Sequence, residues 1–259
     1  MLLKGKVVIV SGVGPGMGQA LARLAAREGA KVVLGARSKS YLDEVAADIK
    51  SKGGEAIAQV CDVSKDAHCK DIARVAVENF GTIDGLVNSA YMHGEWNSVE
   101  AANVEEWAAI YDVNTLGALR MAQAVLPAMK KAGGGAIVNV STQASVKPFP
   151  GEGGYATAKG GLTTLSRQMA KDFGKYNVRV NTTRMGWIGG APVQGWIDRE
   201  VASGRKKEDV LAPIVSDIAL GYIPPEEDCA LGVLFLVSDY SKAVSGAALD
   251  INGGHYMAP

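Results

Sequence analysis

A phenol and an ammonium stand four residues apart in GGYATAKGG (153–161), as Tyr155 and Lys159. Positions i and i+4 share one helix face, so both groups can address a single reacting atom. Proton transfer is the chemistry that suits them. A ketone that becomes an alcohol needs a hydride at carbon and a proton at oxygen. A free phenol has a pKa of about 10, too high for efficient proton transfer near neutrality. A nearby cation favours the phenolate and lowers that value, so Lys159 is the expected tuner and Tyr155 the acid in reduction or the base in oxidation. The same string also suits an ordinary helix start with two solvated side chains, and the rest of the chain must decide.

A second constellation is the glycine-rich SGVGPGMG (11–18), which holds Gly12, Gly14, Gly16 and Gly18 with Met17 among them. Without Cβ atoms the chain can turn tightly and approach a ligand, and a helix starting there offers unpaired N–H groups to a pyrophosphate. The spacing Gly12-x3-Gly16-x-Gly18 is wider than the common dinucleotide fingerprint. Further on, Ala36, Arg37 and Ser38 occupy the corner where NAD binders place an acid on the ribose 2′-hydroxyl. A carboxylate would repel a 2′-phosphate, whereas a guanidinium binds it with two hydrogen bonds. NADP(H) is therefore the expected cofactor, with NAD(H) as the alternative and a solvated surface charge as the plain reading of Arg37.

These groups need a scaffold, and the apolar pattern supplies one. KVVIV (6–10), KVVLGA (31–36), AIAQV (56–60), IDGLVN (83–88), GAIVNV (135–140), VRVNT (178–182) and AALDI (247–251) read as strands. They are apolar and β-branched without clean alternation, as expected when both faces of a sheet are covered. Amphipathic stretches such as 18–29 and 40–54 lie between them, the second capped near Ser38 or Ser40 and closing at Gly53. The alternation predicts an α/β fold: one doubly wound, Rossmann-type domain over 1–259, with a mostly parallel sheet of seven strands and helices on both faces. Residues 188–224 break the rhythm with Trp, Pro and Gly around a basic helix and read as an insertion or a lid on the substrate side. The glycine loop, Arg37, Asp62, NSAY (88–91), Ser141 with Thr142, and RMGWIGG (184–190) all follow strands. They therefore converge on the one sheet edge where such folds bind ligands.

Composition narrows the partners. The formal net charge is zero, from 27 basic and 27 acidic residues spread along the chain, so neither nucleic acid nor an anionic membrane is expected. Cys61, Cys69 and Cys229 are odd in number and lack metal-site spacing, as do His68, His93 and His255, so no metal is expected. The unpaired thiols fit a reducing compartment, and the short apolar run at the start is no signal peptide; a cytoplasmic protein is the expectation.

Taken together, these residues resemble the short-chain dehydrogenase/reductase family from about Lys6 to Gly254. The family's glycine loop matches Gly12, Gly16 and Gly18, and its adenine-side acid matches Asp62, with Val63 beside it. Its Asn-Asn-Ala-Gly segment is matched in part by Asn88-Ser89-Ala90-Tyr91, its helix asparagine by Asn114, and its Tyr-x-x-x-Lys pair by Tyr155 and Lys159. The resemblance implies that Lys159 also contacts the nicotinamide ribose and that Asn114 holds a water in a proton relay. The family's substrate-binding serine falls on Thr142 when counted back from Tyr155. Ser141 stays open as an alternative and Ser145 as a third candidate. The resemblance also implies a homotetramer in which the helix around 156–174 forms an interface.

Three positions depart from the family pattern. Tyr91 replaces a glycine and either narrows the pocket, hydrogen-bonds a substrate group or packs beneath a helix. Met185-Gly186 stands where Pro-Gly is usual, and Gly190 replaces a threonine, so backbone at Ile188 must carry more of the cofactor contact. Arg184 is either structural or reads an anionic group. Trp187, Trp196 and Tyr91, with Met185, Ile188, Pro192 and Phe149, make an apolar wall suited to a hydrophobic, cyclic or steroid-like carbonyl or secondary alcohol. The glycine-rich AGGGAI (132–137) lacks the basic residues that relatives acting on carrier-protein thioesters carry near their entrance. Two other readings stand beside an NADP(H)-dependent reductase: an NAD(H)-dependent secondary-alcohol dehydrogenase, and a nucleotide-binding sensor without turnover.

Overall fold

The computed structural model describes residues 1–257. The chain starts as β1 (Val7–Ser11), α1 (Met17–Arg27), β2 (Lys31–Ala36), α2 (Lys39–Ser51), β3 (Glu55–Val60), α3 (Asp66–Phe80) and β4 (Gly85–Asn88). It continues through α4 (Val104–Tyr111), α5 (Gly117–Ala132), β5 (Gly135–Thr142), α6 (Gly153–Phe173) and β6 (Val178–Met185). Then α7 (Ala191–Ala202), α8 (Lys207–Val215), α9 (Glu226–Val237) and β7 (Ala248–Ile251) complete it. All seven strands are parallel, in the order β3-β2-β1-β4-β5-β6-β7.

Side chains alternate across a strand, and β1 shows what that does here. Val8 and Val10 join Leu21 and Leu24 of α1, Leu42 of α2 and Val233 of α9 in one core. Val7 and Ile9 join Ile72 of α3, Met121 and Val125 of α5 and Met169 of α6 in the other. The sheet is thus buried on both faces, which is why its strands lack polar alternation. Each fully buried Val, Leu or Ile contributes about 1.5–3 kcal/mol of transfer free energy.

The seven expected strands are all present, with shifted ends. β5 and β6 run on to Thr142 and Met185 because Ser141 pairs with Arg184 and Thr142 with Met185 in unbroken register. The segment 188–224 holds two helices in place of the single basic one, because the left-handed turn at Gly204 (φ 99°) separates α7 from α8. Arg184 is structural: its Nη2 donates to Asp250 Oδ2 at 2.8 Å, tying β6 to β7. Among the described residues, no helix is long and apolar enough to cross a membrane.

Candidate active site

The strand order runs in opposite directions from the β1–β4 boundary, and loops leaving both strands there diverge to opposite faces. Such a switch point leaves a crevice beyond the carboxyl ends. Here it opens into a cavity of about 970 Å³. Its lining includes Gly12, Gly14, Gly16, Met17 and Gly18 of the glycine loop, Tyr155 and Lys159 of α6, and Gly186, Trp187, Ile188 and Trp196 beyond β6.

The glycine loop turns immediately after β1, where the Gly12 and Val13 amides both donate to the Gly35 carbonyl. Gly12 is left-handed (φ 91°), and a Cβ there would overlap the backbone of Ser89 and Ala90. A Cβ on Gly18 would overlap the Gly12 carbonyl oxygen, whereas one on Gly14 meets nothing within 4 Å. Gly12 and Gly18 therefore serve the fold, and Gly14 leaves space open in the cavity. No side chain caps α1 and no acid sits in its own first turn, so its leading amides are open to the cavity, beside the Glu226 carboxyl of α9.

Tyr155 lies in the first turns of α6 and Lys159 one turn on, as the spacing predicts. Lys159 is 2% exposed, and its Nζ donates to the Val140 carbonyl at 2.8 Å while lying 5.8 Å from the centre of the Tyr155 ring. Burial pulls its pKa down to about 7. Burial likewise pushes the Tyr155 phenol above its ordinary value, with Tyr91 and Glu152 adding to the effect. This differs from the expectation of a phenol already lowered by its lysine. In the free chain, loss of water opposes both charged forms, and the ammonium is turned to a backbone carbonyl.

Asn114 sits in a single π-helical turn, Asp112–Leu116, wedged between α4 and α5. Its Nδ2 donates to the carbonyls of Ile110 at 2.9 Å and Met92 at 2.7 Å, so it ties the loop after β4 to the helix. Its Oδ1 is buried without a partner among the described residues. The two hydroxyls at the end of β5 are separated by their roles. Ser141 is 2% exposed and donates to the Lys159 carbonyl at 3.1 Å, whereas the Thr142 Oγ1 accepts from the Ala144 amide at 3.2 Å. Ser145 donates to the Thr142 carbonyl at 2.8 Å.

Aromatic rings line the cavity as well. Tyr91 is exposed and meets Tyr155 edge-on at 6.3 Å; it does not pack beneath a helix. Trp187 and Trp196 lie 5.5 Å apart. His93 is stacked between Trp96 (4.7 Å) and Tyr155 (5.0 Å), and its Nε2 lies 3.2 Å from Glu152 Oε1. The Glu152 carboxylate raises the His93 pKa against the opposing effect of burial. Sequence reasoning found in His93 only a histidine without metal-site spacing and overlooked Glu152, because their partnership spans 59 residues.

Several expected cofactor residues lie outside this lining. Arg37 and Ser38 are exposed at the end of β2, where Ser38 stands at the start of α2. The Asp62 carboxyl is held below its ordinary pKa: burial raises it, but the Ser64 hydroxyl and amide and the Arg37 charge outweigh that. Val63 packs against Gly117 in the core, and Ala90 lies against Gly12. The Asn88 side chain is buried, its Nδ2 donating to Asn139 Oδ1 at 2.8 Å while its Oδ1 has no partner among the described residues.

A family model described as short chain dehydrogenase matches residues 6–200. The chain is 32% identical to the 3-oxoacyl-[acyl-carrier-protein] reductase FabG of Thermotoga maritima, over 98% of this chain and 99% of the relative. It is also 32% identical to the 2,5-dichloro-2,5-cyclohexadiene-1,4-diol dehydrogenase LinX of Sphingobium indicum, over 97% of this chain and 96% of the relative. Among solved structures, a 7 alpha-hydroxysteroid dehydrogenase complexed with NADH and 7-oxo glycochenodeoxycholic acid superposes with a TM-score of 0.86. It is 28% identical and covers 97% of this chain and 94% of its own.

Proposed function

The chain belongs to the short-chain dehydrogenase family, and from that premise we propose that it interconverts a hydrophobic, cyclic carbonyl compound and its secondary alcohol with NADP(H). As a member of that family it is an NAD(P)-dependent oxidoreductase acting on CH–OH or C=O groups. A sensor without turnover is thereby set aside.

The choice of NADP(H) rests on Arg37. Ala36 replaces the acid of NAD binders, and the Arg37 guanidinium makes no ion pair among the described residues, so it is free to take a 2′-phosphate. The rest of the site fits a dinucleotide: open space at Gly14 that a Cβ would narrow, and an uncapped helix start for the pyrophosphate. In this reading Gly12–Gly18 hold the phosphates, Asp62 and Val63 border the adenine, and Asn88 and Ala90 support the base of the crevice. Tyr155, Lys159, Gly186 and Ile188 border the nicotinamide half.

The bound dinucleotide supplies or takes the hydride. Thr142 donates its hydroxyl hydrogen to the substrate oxygen, which Ser141 cannot do while it serves the Lys159 carbonyl. Tyr155 gives or receives the proton at that oxygen. Lys159, in its protonated form and one turn away, stabilises the phenolate, and Asn114 holds its relay position through the Met92 and Ile110 carbonyls. Tyr91, Trp187 and Trp196 exclude water and favour an apolar ring. The segment 188–224 acts as the lid; it carries Trp196, and Trp187 immediately precedes it.

Fluorescence titration with NADPH and NADH tests the cofactor. NADPH is expected to bind more tightly, and Arg37→Ala to weaken NADPH about 10–100-fold with NADH little changed, the worth of a charge-assisted bond of about 1.5–3 kcal/mol. Equal loss for both nucleotides would sink the 2′-phosphate reading and favour NAD(H).

We further propose a cytoplasmic homotetramer. The outer face of α6 carries Ala156, Gly160 and Thr164, small enough for close helix packing. Light scattering at micromolar concentration is expected to give a four-chain mass, and a monomeric mass would refute it.

A further inference from the structure

Gln143 is the inner end of a buried polar chain that reaches from the surface to the cavity. It follows Thr142 directly, lines the cavity and is 2% exposed. Its Nε2 meets Nδ1 of His255, which is itself 7% exposed. The other ring nitrogen, Nε2, lies 2.9 Å from Asp217 Oδ2 at the end of the 188–224 segment. Lys147 completes the chain, donating to Asp217 Oδ2 at 2.7 Å and to the His255 carbonyl at 3.1 Å.

The donors and acceptors along this chain fix one another. Asp217 only accepts, so the proton of a neutral His255 sits on Nε2. Nδ1 then offers a lone pair, and the Gln143 amide must turn its NH₂ towards it. That leaves Gln143 Oε1 turned away from the ring, buried beside Gly186, a residue that also lines the cavity, and without a partner among the described residues. A buried amide oxygen without a donor is costly, by about 1–3 kcal/mol, and water or a ligand ordinarily satisfies such a group.

We propose that Gln143 is a specificity-determining residue. Its Oε1 accepts a hydrogen bond from a second hydroxyl of the substrate, on the carbon next to the reacting one, and His255 with Asp217 holds the amide in that orientation. The substrate class is then an α-hydroxy ketone in reduction and a vicinal diol in oxidation, carried on an apolar ring. This rests on the oxidoreductase reading of the same site and adds the second polar contact to it. Thr142 and Tyr155 take the reacting oxygen, and the adjacent side chain takes its neighbour.

The test compares cyclohexanone with 2-hydroxycyclohexanone by kcat/KM, using whichever reduced nicotinamide cofactor binds more tightly. Dissociation constants for the same pair are read in parallel from quenching of the cavity tryptophans. Wild-type protein is expected to prefer the hydroxy ketone. Gln143→Leu is expected to shrink that preference about tenfold or more, and Gln143→Glu, which keeps an acceptor atom, to retain most of it. His255→Leu frees the amide and is expected to lose part of it. A wild-type protein indifferent to the hydroxyl, or a Gln143→Leu variant that keeps the preference, would overturn the proposal. If neither ketone is turned over, the proposed substrate class fails separately, and the binding constants still decide whether Gln143 reads the hydroxyl.

Discussion

Tyr155→Phe is expected to lower kcat by about 10²–10⁴-fold, the usual contribution of one positioned acid or base, with nucleotide affinity nearly unchanged. The ring stays, so its stacking with His93 and its edge contact with Tyr91 stay too; only the proton is lost. Lys159→Met is expected to reach a comparable loss of turnover while doing the opposite to stability. An ammonium that is 2% exposed and, among the described residues, hydrogen-bonded only to the Val140 carbonyl is a buried charge without a counter-ion there. Its pKa falls from 10.5 to about 7 on folding. Below about pH 7 the lysine is protonated in both states, so the folded chain bears the whole cost of burying the charge. Between pH 7 and 10.5 the folded state binds fewer protons than the unfolded one, and stability rises with pH. Lys159→Met should therefore stabilise the free protein most at or below pH 7, with the gain fading towards pH 10.5. Denaturation midpoints measured across that range check it. A methionine variant less stable than wild type at pH 6 would show that the lysine holds the fold together.

The glycine loop offers the other large effect, and it separates folding from binding. Gly12→Ala forces a Cβ into the Ser89–Ala90 backbone at a left-handed φ of 91°, and should cost about 2–5 kcal/mol. Gly18→Ala drives a methyl into the Gly12 carbonyl oxygen and should behave alike. Gly14→Ala meets nothing and has no left-handed φ, so stability should hold to within about 0.5 kcal/mol. Because its new methyl occupies the cavity, dinucleotide affinity should still fall roughly tenfold. Urea midpoints and nucleotide titrations on the three variants read the two effects apart. Equal destabilisation by Gly12→Ala and Gly14→Ala would show that the loop adjusts as a whole.

Why some of this was legible in the sequence and some was not follows from distance along the chain. Both faces of the sheet are covered, so every strand became an apolar run, and each such run is a strand in the structure. Tyr155 and Lys159 were readable because helical geometry is local. What spacing could not reveal is which way a long side chain turns. Lys159 faces a carbonyl, and Asn88 donates to Asn139 on the neighbouring strand. The pairing of His93 with Glu152, and of Gln143 with His255 across 112 residues, depends on the closed fold. The π turn at Asp112–Leu116 left no mark either, since its residues are as ordinary as those of any helix. Arg184, without a clear role in the sequence, found its partner 66 residues later.

That last pairing bears on how the chain is made. β6 joins β5 as soon as it emerges, but its other edge waits for β7, while residues 186–247 are synthesised. At about 5–20 residues per second this leaves a bare strand edge for roughly 3–12 s, a template on which nascent chains can pair with one another. Arg179 and Arg184 sit on that strand. Until Asp250 arrives, Arg184 is an uncompensated positive charge on the open edge, and like charges on neighbouring nascent chains repel. One residue thus serves as a gatekeeper during synthesis and as a clasp afterwards, with the arrival of β7 converting the first role into the second.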